Sequence, residues 1–382
     1  MSNIQMVDLR SQYLKIKSEI DDAIHDIVES CSFINGPSVE NFANNLGQYL
    51  NGTYVIPCAN GTDALQIALM VLNLKPGDEV IVPAFTYAAT AEVIALLKLT
   101  PVFVDIDPAT FNISVDAIKD AITPKTKVII PVHLFGQCAE MEPIMNLAKK
   151  HQLYVVEDNA QSIGADYHFH DGKSAKSGTI GTIGCTSFFP SKNLGCYGDG
   201  GAVFTHDISL AERIRMIANH GQKLKYQHEI IGCNSRLDSI QAAILDVKLR
   251  YLDEYCTSRR SAAHYYTNAI KEIDPNEVIF CTPTESTFST HVYHQYTLRI
   301  KGGRRNQLKD YLLRNNIPSA VYYPLPLHEQ PAFKQIARIY GSLANAKNCT
   351  DCVLSLPMHT ELNTSNQDYI IEHLKVFFSE HI

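Results

Sequence analysis

Between Tyr54 and Thr205, short apolar runs alternate with stretches of helical period. "YVIPCAN" leads into "GTDALQIALMVLNL", whose apolar residues recur at helical spacing until "LKPGDE" stops the helix. "VIVPAF" precedes "TYAATAEVIALLKL", and "PVFVDID" precedes a helix around "SVDAIKDAI". "KVIIPVHLFG" precedes "EMEPIMNLAKKH", and "LYVVEDN" follows. The apolar runs are rich in β-branched residues and nearly free of charge, which suits strands buried on both faces. Repeated units of this kind predict an α/β fold with a mostly parallel sheet covered by helices. Ligands of such sheets gather beyond the carboxyl ends of the strands, so the first residues after each run matter most.

Further on the pattern changes. "QAAILDVKLRYLDEYCTSRRSAAHYYTNAI" reads as one long helix. "HVYHQYTLRI", "RRNQLKDYLLRNN" and "SAVYYPLPLHEQPAF" then read as strand, helix and a proline-interrupted extended segment. The expected division is a large domain over 1–256, with an N-terminal arm, and a smaller α+β domain over 257–382. No repeat or low-complexity linker separates the two.

Composition narrows the function. A chain of 382 residues, 45% hydrophobic and 19% charged, buries a large core and is expected to be folded throughout. A net charge of -7 argues against a nucleic-acid partner, which needs a basic face. No apolar run approaches the ~20 residues of a membrane span. "MSNIQMVDLRSQYLKIK" holds no apolar core of signal-peptide length, with charge already at Asp8 and Arg10. Many of the ten cysteines lie in apolar stretches (Cys58, Cys138, Cys185, Cys233), a usage that fits buried thiols in a reducing cytoplasm. Cys349 and Cys352 form a lone C-x-x-C without a second pair, so no metal is expected there. His168 and His170 in "YHFHDGK" read as an edge hairpin with an Asp-Gly turn rather than a zinc site.

The residues after the strands carry candidate chemistry. "CANGTDAL" places Gly61 and Thr62 at a helix start, where free N–H groups and a hydroxyl suit a phosphate, although Thr62 or Asp63 equally serves as a simple cap. Tyr87 in "PAFTYAATAE" is either core or a stacking plate for a flat ring. "VVEDNAQSIGA" ends a buried strand in Glu157 and Asp158, and an acid at that depth needs a partner. A protonated heteroaromatic nitrogen would be one. "TSFFPSKNLGCYGDGGA" then supplies the hydroxyls of Thr186 and Ser187 and the amine of Lys192. A phosphate cup, a stacking ring, an acid for a ring nitrogen and a lysine for an aldehyde together describe pyridoxal phosphate (PLP). The aspartate keeps the ring nitrogen protonated, and the lysine binds the aldehyde and, once displaced, shuttles a proton.

"GTDAL", "FTYAATAE", "VDIDPATFNI", "PVHLFGQ", "EDNAQSIGA", "SFFPSKNLGCYGDGGA", "NHGQ", "GCNSRLDSIQAAIL" and "YYPLPLHEQPAF" together resemble the nucleotide-sugar aminotransferases of the DegT/StrS type, within the fold-type I PLP enzymes. The resemblance runs from "VDLRSQY" to "LPMH" at 356–359. It is strongest to enzymes that aminate C3 of a UDP-linked 2-acetamido-3-keto-hexuronic acid. The resemblance implies L-glutamate as donor, a nucleotide sugar as acceptor and a homodimer with shared active sites. It assigns Lys192 to the cofactor aldehyde, Asp158 to the ring nitrogen, Gln161 to the ring hydroxyl and Tyr87 to the ring face. Gly61, Thr62 and Ser187 match the phosphate cup, and Asn234 a residue reaching the phosphate from the partner subunit. Arg236 matches a contact to either the substrate carboxylate or the glutamate donor, although without the resemblance Asn234 and Arg236 read as a helix cap and a surface charge; Gly36, Tyr322 and Tyr323 match the sugar-nucleotide pocket. Tyr322 stands where relatives often have His, and Asn159 where Ala is common. Lys223, Lys225 and His228 lie on a loop, either as further anion contacts or on an exposed lid with no such role. Related PLP-dependent 3-dehydratases replace the lysine with histidine, so Lys192 argues against that chemistry. A dTDP-3-keto- or 4-keto-6-deoxyhexose is the alternative acceptor, and a non-catalytic regulatory protein the alternative class.

Overall fold

The computed structural model describes residues 4–381. Three helices open the chain: α1 (Leu9–Lys15), α2 (Lys17–Ser30) and α3 (Pro37–Tyr49). Alternation follows, with β1 (Tyr54–Cys58), α4 (Gly61–Val71), β2 (Glu79–Pro83), α5 (Ala89–Leu96), β3 (Thr100–Val104), α6 (Val115–Ala121), β4 (Thr126–Ile129), α7 (Met141–His151) and β5 (Tyr154–Asp158). Next come a hairpin of β6 (Asp166–His168) and β7 (Ser174–Lys176), then β8 (Ile183–Ser187), β9 (Gly201–Thr205) and α8 (Ile208–Ala218). A second hairpin, β10 (Gln222–Leu224) and β11 (Gln227–His228), precedes α9 (Ser239–Leu249) and α10 (Leu252–Ile273). The chain closes with β12 (Phe280–Cys281), β13 (Tyr296–Ile300), α11 (Arg305–Arg314), β14 (Arg338–Ile339), α12 (Ala344–Cys352), β15 (Val353–Leu356) and α13 (Thr364–His381).

The central sheet has eight strands in the order β1-β9-β8-β5-β4-β2-β3-β14. Every pairing from β8 to β14 is parallel, whereas β9 runs antiparallel to both β8 and β1. The carboxyl ends of β1, β2, β5 and β8 therefore share one edge of the sheet, and the amino end of β9 joins them. Both faces are covered: Val80, Val82, Val156 and Val203 pack into one apolar cluster, and Ile81, Val155, Ala202 and Phe204 into another. This is the mostly parallel, helix-covered sheet that the alternation predicts, and it is the fold-type I PLP-transferase architecture that the resemblance implies. A third cluster joins α10, β13, α11, β15 and α13 around Tyr266, Tyr296, Leu308, Leu354 and Phe377. Its sheet is antiparallel, in the order β12-β13-β15. Among the described residues no helix is long and apolar enough to cross a membrane.

Two local readings meet the structure differently. His168 lies on the β6–β7 hairpin, whose turn is made by Gly172 at φ +84°, as the Asp-Gly signal predicts. The long helix read across 241–270 is instead two, α9 and α10, broken at Arg250–Tyr251 without a glycine or proline. There Arg250 pairs with Glu19 of α2 at 2.9 Å, and the Tyr251 hydroxyl donates to the same carboxylate at 2.5 Å. These contacts come from a distant helix, which a local periodicity cannot register.

Candidate active site

A cavity of about 700 Å³ opens at the shared edge of the sheet. It is lined by the segments following β1, β2, β5 and β8, together with Phe135, Asp199, His294, Gln295 and 321–324. Of the twelve residues expected in the site, Gly61, Thr62, Tyr87, Asp158, Gln161, Ser187, Lys192, Tyr322 and Tyr323 line it.

Its floor at β1 and β8 is a cradle for an anion. Asn60 caps α4, accepting from the Asp63 N–H at 2.8 Å, so neither Thr62 nor Asp63 is the cap. The N–H groups of Gly61 and Thr62 have no partner among the described residues, and they face the cavity at a helix N-terminus. Glycine is required at position 61 by proximity: a Cβ there would lie 2.7 Å from the Ser187 Cβ. Ser187 lines the cavity, but Thr186 does not serve it. The Thr186 hydroxyl is fully buried and donates to the Asn159 carbonyl at 3.3 Å, because alternation along β8 turns successive side chains to opposite faces.

The same alternation separates the two acids of β5. Glu157 points away from the cavity and is saturated, accepting from the backbone N–H groups of Gly178, Ile180 and Gly181 at 3.0, 2.6 and 2.5 Å. It also pairs with His133 Nε2 at 2.8 Å. His133 Nδ1 accepts the Ala139 N–H at 3.0 Å, which leaves Nε2 as the protonated nitrogen. Asp158 faces the cavity with two donors, the Thr90 hydroxyl at 2.8 Å and the Ala160 N–H at 3.2 Å. Burial pushes its carboxyl up, against those donors and the Lys192 charge. A cation in the cavity would restore the ionised form. Asn159 turns its amide to Ser177, accepting from the Ser177 hydroxyl at 2.8 Å and donating to the Ser177 carbonyl at 3.1 Å. That amide is engaged behind the site.

Lys192 is half-buried, and its amine has no hydrogen-bond partner among the described residues. Burial pushes it down to about 8, opposed by Asp158. Gln161 accepts from the Phe135 N–H at 2.8 Å and donates to the Tyr323 hydroxyl at 3.1 Å. The Tyr323 ring lies 5.9 Å from Phe85 and 6.3 Å from Tyr87, whose own ring is 62% exposed at the cavity mouth. Tyr322 lines the cavity beside it.

Gly36, Asn234 and Arg236 lie elsewhere. Asn234 and Arg236 flank an adjoining groove of about 400 Å³ with Gly198 and Asp238, and Asp199 borders both spaces. Gly36 lines a further groove of about 940 Å³, which Arg236 also borders. Lys223, Lys225 and His228 project on the exposed β10–β11 hairpin. Several residues at the site escape a sequence reading. Thr90, fully buried behind Asp158, lies one helical turn beyond Tyr87 on a helix whose other polar residue, Glu92, is exposed, and that spacing was the available signal. Thr86 and His294 line the cavity, and the Thr86 hydroxyl and His294 Nδ1 are buried with no partner among the described residues.

Residues 14–375 match the model of the DegT/DnrJ/EryC1/StrS aminotransferase family. The chain is 46% identical to a protein of Geobacillus stearothermophilus named pleiotropic regulatory protein, over 98% of this chain and 99% of that one. It is 45% identical to the UDP-2-acetamido-2-deoxy-3-oxo-D-glucuronate aminotransferase of Pseudomonas aeruginosa, over 95% of this chain and 97% of that enzyme. The crystal structure of NtdA from Bacillus subtilis, with its cofactor PMP bound, superimposes with a TM-score of 0.89 at 31% identity, covering 99% of this chain and 86% of that one. The residues here fit the phosphorylated pyridine cofactor of that family. Unpaired N–H groups and Ser187 stand where a phosphate needs donors, Asp158 has room for a cationic nitrogen, and the Lys192 amine is free for the aldehyde. The chain thus belongs to the DegT/DnrJ/EryC1/StrS aminotransferase family and is a PLP-dependent sugar-nucleotide aminotransferase.

Proposed function

We propose that the chain moves an amino group from L-glutamate to C3 of a UDP-linked 2-acetamido-3-keto-hexuronic acid, working as a homodimer. The observation that carries the transfer chemistry is the pairing, across one cavity, of an unpartnered amine at Lys192 with a carboxylate at Asp158 that lacks a cation. The extensive identity to the Pseudomonas aeruginosa enzyme supports the choice of sugar. The cofactor, when bound, supplies a protonated ring that accepts the electron pair left by loss of a proton from the amino donor.

This chain's residues do the remaining work. Asp158, held by Thr90 and Ala160, offers its carboxylate to the ring nitrogen. Gln161 fixes Tyr323 and the Phe135 backbone around the ring. Gly61, Thr62 and Ser187 take the phosphate, and Tyr87 and Tyr322 border the space left for sugar and nucleotide. With its pKa lowered to about 8, Lys192 Nζ takes and returns a proton near neutral pH, as a base for the α-proton of the donor requires. Asn234 and Arg236 stand outside their own chain's cavity, which supports a role in the cavity of a second copy. A purely regulatory scaffold would need none of these groups.

The test is the visible spectrum of the protein with PLP, before and after L-glutamate, followed by a panel of UDP- and dTDP-keto-sugars. The reading expects a yellow band that glutamate bleaches and a UDP-3-keto-hexuronate restores. A band indifferent to glutamate removes that donor. Restoration only by a dTDP-sugar moves the acceptor to the 6-deoxyhexoses.

A further inference from the structure

Among the described residues, the cations buried almost completely are Lys248 on α9 and Arg259 on α10, at 1% and 3% exposure. Neither forms an ion pair. Burial strips their hydration with no carboxylate in return, and it pushes Lys248 down to about 8 and Arg259 to about 10. Apolar side chains of similar volume would avoid that cost. The difference lies in what the two cations touch.

Lys248 Nζ donates to the Gly195 carbonyl at 2.5 Å and lies 5.3 Å from the centre of the Tyr197 ring. Gly195 closes the tight loop that begins at Lys192, whose own N–H donates to Phe189 at 2.8 Å. Arg259 Nη1 donates to the carbonyls of Tyr293, His294 and Met358 at 3.1, 3.4 and 3.2 Å. His294 lines the cavity, and its ring Nδ1 has no partner among the described residues. The two loops are themselves joined, since Asn193 donates to the Val292 carbonyl at 3.0 Å. A continuous run of hydrogen bonds thus passes from α9 through the Lys192 loop and the His294 wall to α10.

We infer that Lys248 and Arg259 are positioning residues for amino transfer: from behind the cavity they fix the Lys192 loop and the His294 wall in one register. Both cations act through main-chain carbonyls and touch no substrate. A carbonyl buried against an ammonium or guanidinium cannot swing away without leaving the charge unpaired, so each bond resists motion more than a neutral contact does. The inference rests on the proposal that this cavity is the reacting site.

The experiment compares the cofactor-loaded wild type with Lys248→Met and Arg259→Met by hydrogen exchange and by the rate at which L-glutamate bleaches the visible band. Amides of 192–196 and 292–295 should exchange about tenfold faster, with those of β2 unchanged. The bleaching rate should fall roughly tenfold to a hundredfold, while the half-saturating glutamate concentration stays within about twofold. A Met variant that does not fold passes the test to Lys248→Gln and Arg259→Lys, which keep a donor but lose charge or reach. These should show faster exchange in the same two segments. Folded variants with wild-type exchange and rate would overturn the inference, as would protection lost evenly across the sheet. If glutamate fails to bleach even the wild type, the donor is wrong, and the exchange result still decides the positioning role.

Discussion

The strand ends that meet at the cavity and the strip from Asn234 to Arg236 differ in how much of a site one copy of the chain completes. At the strand ends, donors and acceptors converge within a single chain: Thr90 on Asp158, Gln161 on Tyr323, Gly61 beside Ser187. Along the strip, Asn234 is exposed, and Arg236 borders two open grooves. Polar side chains inside a fold find partners within it, whereas those left free at a surface are available to something else. The difference teaches that the cofactor pocket is a property of the sheet, whereas the strip is left free on its own chain, as the proposed role in a second copy requires.

The largest expected effect strikes the first region. Lys192→Ala should cut turnover by at least roughly 10⁴-fold while the fold survives, since one lysine supplies both the attachment and the proton carrier. Near-wild-type turnover with an unchanged melting curve would refute the assignment. Asp158→Asn comes next, with an expected loss of about 10³-fold, or about 4 kcal/mol of barrier. Its control is the neighbouring residue. Glu157→Gln removes a charge that faces three backbone donors and His133, so it should cost about 1–3 kcal/mol of stability in a urea melt. It should leave kcat within about threefold where the protein is folded. Equal losses of rate in both variants would mean that the two acids do not divide the labour as their faces imply.

That pair also shows where the sequence is legible. The alternation of apolar runs and helices was visible, and so was the rule that chemistry follows the strands. Lys192, Asp158 and the start of α4 were legible because each breaks a local pattern. Alternation alone places Glu157 and Asp158 on opposite faces but does not say which face holds the cavity, and the same holds for Thr186 and Ser187. That information lies in the sheet order, which depends on pairings between distant strands. The break between α9 and α10 was hidden for a like reason, since the residues at it, Arg250 and Tyr251, meet Glu19 of the distant α2. Lys248 is one lysine within the long helical run of the sequence, and it is the packing of α9 beneath the Lys192 loop that buries it.

A third prediction tests the comparison directly. Asn234→Ala should weaken retention of PLP about tenfold, the worth of one lost hydrogen bond to a charged group. Refolding Asn234→Ala together with Lys192→Ala separates a contribution within the chain from one across a dimer. If Asn234 serves the other copy, half of the molecules pair unlike chains, and one site in each such pair carries neither substitution. With PLP kept low enough to leave Asn234→Ala largely empty, activity should then return to roughly a quarter of wild type. Recovery no better than the sum of the separate variants would place Asn234 in the service of its own chain.

The last contrast sets the buried wall against the exposed strip under acid. Burial pushes His291 down to about 3 and His359 to about 4. Burial together with the charges of Lys192 and Arg259 holds His294 well below the usual 6.5. In the unfolded chain these imidazoles take protons near 6.5, so from there down to about 4 the unfolded state binds more protons than the folded one. Stability therefore rises with pH across that window and falls as acid is added. The urea midpoint of the apoprotein should decline steadily from pH 7 to pH 5. Amides of 291–294 should lose exchange protection before those of β2 do, because charging the wall costs most where the imidazoles are dry. A flat midpoint over that range would mean that the imidazoles find water or a counter-charge when protonated. The wall would then be as open as the strip.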